Sequence, residues 1–228
     1  MKKIFSIVLS ALMIFSLTAC GASATPTSER IKTTGTSKAD ETAATSVSGS
    51  PNESTGISEE TQSKGTNVLV VYFSWSGNLH KMADWIADET GGDIIRVEAK
   101  DPYPEDYNAT ADRAKKEQDE GVRPEITVSL SAEELAKYDT VYIGFPVWWY
   151  DLPMSMCTFL EGHDLSGKTV IPFFSHEGSS NGASSLSTIE KLAKGADFKK
   201  ESALSIRGGE VANSENVVRE WVRGLKLE

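Results

Sequence analysis

The sequence predicts an α/β three-layer sandwich, with a five-stranded parallel sheet of order 2-1-3-4-5 and helices on both faces. Three observations predict it. From residue 67 onward, short apolar and β-branched runs alternate with helical patterns. Strand–helix–strand order closes into right-handed crossovers between parallel strands. The segments after the first, third and fourth apolar runs are rich in Gly, Ser, Pro and aromatic residues, where an open sheet of this order holds its ligand.

The first strand is expected over 68–73, a continuous apolar run. An amphipathic helix follows, with Met82, Trp85, Ile86 and Thr90 at helical spacing. Ile94, Ile95 and Val97 mark a second strand over 93–98, and a polar helix is expected over 107–120. Ser131-Ala132-Glu133-Glu134 carries a capping-box pattern and opens a short helix ending near Tyr138. The third strand is expected over 140–145, the fourth over 169–174, and a weaker fifth over 203–206. Further helices are expected over 154–161, 184–193 and 215–225. These roughly 160 residues suffice for one domain with one core.

Residues 1–66 have a different character. Met1-Lys2-Lys3 is a basic start, and the apolar run over 4–17 is too short to span a membrane comfortably. The run ends in Leu17-Thr18-Ala19-Cys20, which resembles a bacterial lipoprotein signal. That resemblance implies cleavage after residue 19, lipid on Cys20, and an extracytoplasmic protein held at a membrane. Each buried methylene contributes about 0.8 kcal/mol, so stable anchoring needs more than one acyl chain. Residues 21–66 are rich in Ser, Thr, Gly and Ala with almost no large apolar side chains. Such a segment cannot offset its ordering entropy and reads as a tether with a reach of roughly 40 Å.

Residues 1–66 hold six basic and six acidic groups, so the net charge of −10 falls entirely on residues 67–228. An acidic domain disfavours nucleic acid and anionic lipid as partners, leaving the membrane contact to the lipid anchor. It is compatible with a basic redox partner protein, and equally with charge that serves solubility alone; a small-molecule electron acceptor is the other partner expected. With Cys20 lipidated, Cys157 is alone in an apolar helical run, so a packed core thiol is expected and no disulfide. The three histidines, at 80, 163 and 176, do not form a metal-ligand spacing.

The three loops carry the chemistry. Tyr72-Phe73-Ser74-Trp75-Ser76-Gly77-Asn78 brings a buried strand through a hydroxyl-rich turn to a helix N-terminus, where backbone N–H groups favour an anion. The turn holds no Lys or Arg, which is unlike a nucleotide triphosphate site and points to the phosphate of flavin mononucleotide (FMN). His80 and Lys81 add at most a weak positive potential. Pro146-Val147-Trp148-Trp149-Tyr150 is an aromatic cluster that must cover something apolar, a flavin ring or a neighbouring helix. Ser175-His176-Glu177-Gly178-Ser179 is a polar loop able to bring backbone close to a ligand.

Together with Pro102-Tyr103-Pro104-Glu105-Asp106-Tyr107, these stretches resemble the bacterial flavodoxin-like family in order and spacing over nearly all of residues 67–228. The resemblance implies a flavodoxin-like fold and FMN as cofactor. It implies that Ser74, Ser76, Gly77, Asn78 and the position of Leu79 form the phosphate cradle. Pro146, Val147, Trp148 and Trp149 would lie against the flavin, with Ser175, His176, Glu177 and Gly178 at its opposite edge. Leu79 departs from the family pattern, which continues with Thr. A lost hydrogen bond to a charged group costs about 1.5–3 kcal/mol, or roughly tenfold to a hundredfold in affinity.

One competing motif fails on context. Gly162-His163-Asp164-Leu165-Ser166-Gly167-Lys168-Thr169 matches a phosphate-binding loop by letters, but the helix precedes it and the strand follows. Ser175 likewise lacks the flanking glycines of a nucleophile elbow. The functional expectation is an FMN-dependent electron-transfer protein at a membrane surface. The alternatives are an NAD(P)H-dependent flavin or quinone oxidoreductase, and a tethered binding module that kept the fold without the flavin.

Overall fold

The computed structural model describes residues 67–225. The expected signal peptide, the expected lipidation site at Cys20 and the expected linker lie outside the described residues. In chain order the elements are β1 (Val68–Tyr72), α1 (Asn78–Thr90), β2 (Asp93–Arg96), α2 (Tyr107–Glu120), α3 (Ala132–Leu135), β3 (Thr140–Pro146), α4 (Met154–Gly162), β4 (Thr169–His176), α5 (Ala183–Leu192), β5 (Asp197–Phe198), β6 (Leu204–Arg207) and α6 (Glu215–Gly224). Every strand pair is parallel, and the order is β2-β1-β3-β4-β5, with β6 also on β4. This is the flavodoxin-like arrangement.

The period of two along the strands builds two cores, one on each face. Leu69, Val71 and Phe73 pack with Val141, Ile143 and Phe145 under α4 and α5. Val68, Val70 and Tyr72 face the opposite way, against Leu79, Met82, Ala83 and Ile86 of α1. Central strands buried on both faces read as continuous apolar runs, which is why β1, β3 and β4 are plain in the sequence. Helix α6 lies beside α1, and Arg223 clasps Glu89 through two hydrogen bonds of 2.6 and 2.8 Å.

The fifth strand position differs from the expectation. The predicted strand over 203–206 is present as β6, but it pairs only with the second half of β4. The first half pairs with the two-residue β5, and a 3₁₀ turn (Lys200–Ser202) separates the two. Two residues, one of them Asp, give no periodic signal. Strand β2 ends at Arg96 rather than at residue 98, and its last bond to β1 runs from the Val97 N–H to the Tyr72 carbonyl at 2.7 Å. Ser175 and His176, expected in a loop, are the last residues of β4.

The predicted capping box exists: Ser131 Oγ accepts from the Glu134 N–H, and the Glu134 carboxylate accepts from the Ser131 N–H. The nucleotide-loop lookalike is a helix-to-strand turn from α4 into β4, with the Lys168 ammonium donating to the Tyr138 carbonyl at 2.6 Å.

Gly144 makes room for the centre of the sheet. A Cβ there would overlap the ring of Phe173, its register partner on β4. Gly144→Ala should therefore destabilise the domain by about 1–3 kcal/mol through overpacking, read as a lower urea midpoint. Burial pushes the Cys157 thiol up to about 11 and the Tyr142 hydroxyl up to about 12. Both groups ionise earlier in the unfolded chain, at their ordinary values of 9.0 and 10.0. The stability they contribute is complete below about pH 9 and is lost as pH rises through the folded values. Urea midpoints from pH 8 to 11 should fall, and a Cys157→Ala/Tyr142→Phe variant should show a shallower fall.

Candidate functional site

The register of β1, β3 and β4 brings their three following loops together at one end of the sheet. Between the loops and one face of α2 lies a cleft of about 340 Å³.

The first wall is the turn into α1. Ser74 is buried, and its Oγ accepts from the Gly77 N–H at 3.1 Å. The Arg96 guanidinium donates to the Ser74 carbonyl at 2.9 Å, so β2 braces the turn. Gly77 takes a left-handed φ of +88° at the head of α1, and no side chain caps the helix. The 13-residue helix also has no acidic residue in its first turn. Its free N–H groups and positive dipole end thus remain available to an anion. Ser76 and Asn78 line the cleft, whereas Ser74 and Gly77 shape the turn from behind. The His80 ring stacks on Tyr72, and its Nδ1 meets the Tyr72 hydroxyl at 2.6 Å.

Leu79 requires a correction. Its side chain is 1% exposed and belongs to the core on the α1 face, with Met82, Ala83 and Ile86 on the same helix stripe. It is not on the cleft wall, so only its backbone N–H can serve the cradle. The apolar side chain there serves packing.

The second wall follows β3. Pro146, Val147, Trp148, Trp149 and Tyr150 all line the cleft. Trp148 and Asp151 exchange two backbone hydrogen bonds of 2.9 Å, closing a two-residue turn over Trp149 and Tyr150. Both residues have positive φ, +46° and +69°. A turn of this kind ordinarily uses Asn-Gly, because positive φ is costly for side chains with a Cβ. Several contacts hold it in place. The Trp148 ring meets Phe73 and Tyr103 edge to face at 5.2 and 5.1 Å. The Trp149 indole N–H donates to the Ala111 carbonyl at 2.9 Å. The Asp151 carboxylate accepts from Ser184 and Thr188 at 3.2 and 3.0 Å.

The third wall is the end of β4 and its loop. Ser175, His176 and Glu177 line the cleft with Ser179 and Ser180. His176 Nδ1 accepts from the Gly178 N–H at 2.9 Å, so a neutral ring carries its proton on Nε2. Gly178, at a φ of +94°, makes that turn and is not itself on the wall.

The fourth wall was not read from the sequence. Tyr107, Thr110, Ala111 and Ala114 of α2 line the cleft at the i, i+3, i+4, i+7 spacing of one helix face. Trp75, between Ser74 and Ser76, also lines it. The small residues at 110, 111 and 114 were the available signal. Helix α2 is seated firmly. Asp106 caps it by accepting from the Ala109 N–H at 2.8 Å, and the Tyr103 hydroxyl donates to the buried Glu117 at 2.6 Å. Burial, then the bond to Glu117, drives the Tyr103 hydroxyl well above the ordinary phenol range. Arg113 covers the Tyr103 ring at 4.2 Å and also binds Glu117.

Phosphate-sized donors on one side and apolar aromatic walls on the other define a site for a planar ligand with an anionic tail. Among the described residues, no cluster of three or more His, Cys, Asp or Glu could hold a metal ion, and no helix is long and apolar enough to cross a membrane. The architecture and the cleft define the flavodoxin-like class. Residues 67–225 match the family model described as Flavodoxin, and the chain belongs to that family. It is similar to a protein assigned as a flavoprotein from Bacteroides uniformis ATCC 8492, with 32% identity over 70% of this chain and 99% of that one, at a TM-score of 0.60. A second such protein, from Bacteroides eggerthii DSM 20697, shares 32% identity over 71% of this chain and 98% of its own, at 0.58. A flavoprotein from Lactobacillus acidophilus NCFM, solved in complex with FMN, shares 26% identity over 64% of this chain and 96% of its own, at 0.50. No curated protein matches the chain.

Replacing Trp149-Tyr150 by Asn-Gly should relieve the strained turn. Each unfavourable backbone conformation costs about 1–3 kcal/mol. Some of that gain is offset by the lost Trp149 contacts, so a net rise in Tm of a few degrees is expected by calorimetry. A fall in Tm would show that the Trp149 contacts outweigh the strain.

Proposed function

We propose that this domain binds FMN in the 340 Å³ cleft and transfers electrons through it. The carrying observation is the pairing of an uncapped α1 N-terminus, for the phosphate, with the Trp148–Trp149 wall, for the ring. The flavin, when bound, supplies one- or two-electron chemistry. The protein's part is to hold it. The α1 N–H groups, Ser76 and Asn78 receive the anionic end, while Val147, Trp148 and Trp149 exclude water from one side. Ser175 and His176 meet the other edge, where a neutral His176 can donate only through Nε2. The Lactobacillus complex supports FMN as the ligand.

Trp75, Trp148 and Trp149 line the cleft, so binding has a direct optical readout. FMN titrated into the domain should quench Trp fluorescence with saturation. Absence of quenching at high micromolar FMN would end the flavin reading. The charge of −10 on this domain disfavours an anionic reduced flavin. Its redox midpoint should therefore lie below that of free FMN, and a midpoint well above would contradict the electrostatic argument.

The surroundings of the domain belong to the same reading. Leu17-Thr18-Ala19-Cys20 supports lipid attachment at Cys20 and an extracytoplasmic position at the cell membrane, with an electron-carrying protein or small acceptor as partner. Cys20→Ala should move the full chain from the membrane fraction to the soluble fraction, and unchanged partitioning would refute the anchor.

A further inference from the structure

One side chain on the cleft wall differs in charge from all the others. Of the residues lining the cleft, none is Lys, Arg or Asp, and Glu177 is the single carboxylate. Its position is set by an unusual neighbour. Gly208 follows β6 at the start of a 3₁₀ turn (Gly208–Asn213), and a Cβ at Gly208 would collide with Glu177 Oε1. The same Cβ would lie 3.1 Å from Nδ2 of Asn78, whose amide donates to the Gly208 carbonyl at 3.1 Å. Three loops thus meet in one corner: the head of α1, the loop after β4 and the turn after β6. The Glu177 carboxylate stands in that corner, beside the first residue of the helix whose N-terminus faces the anion.

That carboxylate is uncompensated. Among the described residues Glu177 makes no hydrogen bond and no ion pair. Arg207, which precedes Gly208 and is the register partner of His176, forms no ion pair with it. His80 is taken up by Tyr72 and lies 3.7 Å from Asp84, and Lys81 is exposed. A negative group next to an anion cradle repels the anion, and no Lys or Arg on the wall offsets it.

We propose that Glu177 is a specificity-determining residue that discriminates between flavins by the charge of their tails. It weakens the binding of a phosphorylated flavin such as FMN and leaves a neutral-tailed flavin, riboflavin, unaffected. The inference rests on the flavin reading above. Gly208 is the positioning residue, because only a residue without Cβ leaves the corner open for the carboxylate. Glu177 is exposed, so water and salt screen the repulsion and hold its effect to about tenfold rather than thousands.

The test titrates FMN and riboflavin separately into wild type, Glu177→Gln and Gly208→Ala, following Trp fluorescence, with Tm recorded for each. Glu177→Gln should bind FMN about tenfold more tightly while its riboflavin affinity stays within about twofold of wild type. Gly208→Ala meets only the flexible end of Glu177 and the Asn78 amide, so it should displace the carboxylate and shift the FMN-to-riboflavin ratio the same way. If Gly208→Ala does not fold, Glu177→Gln alone decides. An unchanged ratio in Glu177→Gln overturns the inference while leaving flavin binding intact. Equal loss of both flavins would mean that the carboxylate accepts hydrogen bonds from the sugar chain, and it also overturns the inference. Binding of neither flavin to either protein would remove the flavin reading and the inference with it.

Discussion

The register between β1, β3 and β4 is the constraint on which the rest depends. Tyr72 pairs with Gly144, which pairs with Phe173, and two residues on Pro146 pairs with Ser175. That alignment brings the ends of the three strands within three register positions of one another, so their loops open on one space. It tolerates the Phe173 ring at the centre only because Gly144 has no side chain. A slip by one residue would exchange the two cores, sending Leu69 and Val71 to the α1 face and Val70 to the other. The cleft is therefore a consequence of core packing two residues beneath it.

Polar work around the cleft goes into holding backbone, with few groups left over for a ligand. Arg96 braces the Ser74 carbonyl, Ser74 braces Gly77, Asp106 caps α2, and Asp151 ties the aromatic turn to α5. These bonds join different elements, so strain at Trp149 and Tyr150 persists without spreading. What remains directed inward is a set of helix N–H groups, hydroxyls, aromatic faces and one carboxylate.

Much of this was legible in the sequence because the central strands are buried on both faces and leave unbroken apolar runs. The three loops announced themselves by Gly, Ser, Pro and Trp at the ends of those runs. The α2 wall did not, because Thr110, Ala111 and Ala114 are ordinary residues in a polar helix. Their role comes from how Tyr103, Arg113 and Glu117 seat that helix, which is a matter of tertiary contact. Leu79 was misleading for the opposite reason. A family pattern suggested a contact, while its helical phase with Met82 and Ile86 already marked it as core. Glu177 beside Gly208 links residues 31 positions apart, and no local pattern encodes it.

The split outer strand has a further consequence. A parallel sheet ends in two open rims, each a row of unpaired backbone groups that can recruit a strand from another molecule. On one side the rim is broken into β5 and β6 by a 3₁₀ turn, leaving segments of two and four residues. On the other, the four residues of β2 begin with Asp93 and end with Arg96. Neither rim offers the long, flat, apolar edge that seeds intermolecular sheets. Crowding many copies of this domain into a thin layer would thus carry little risk of edge-to-edge aggregation.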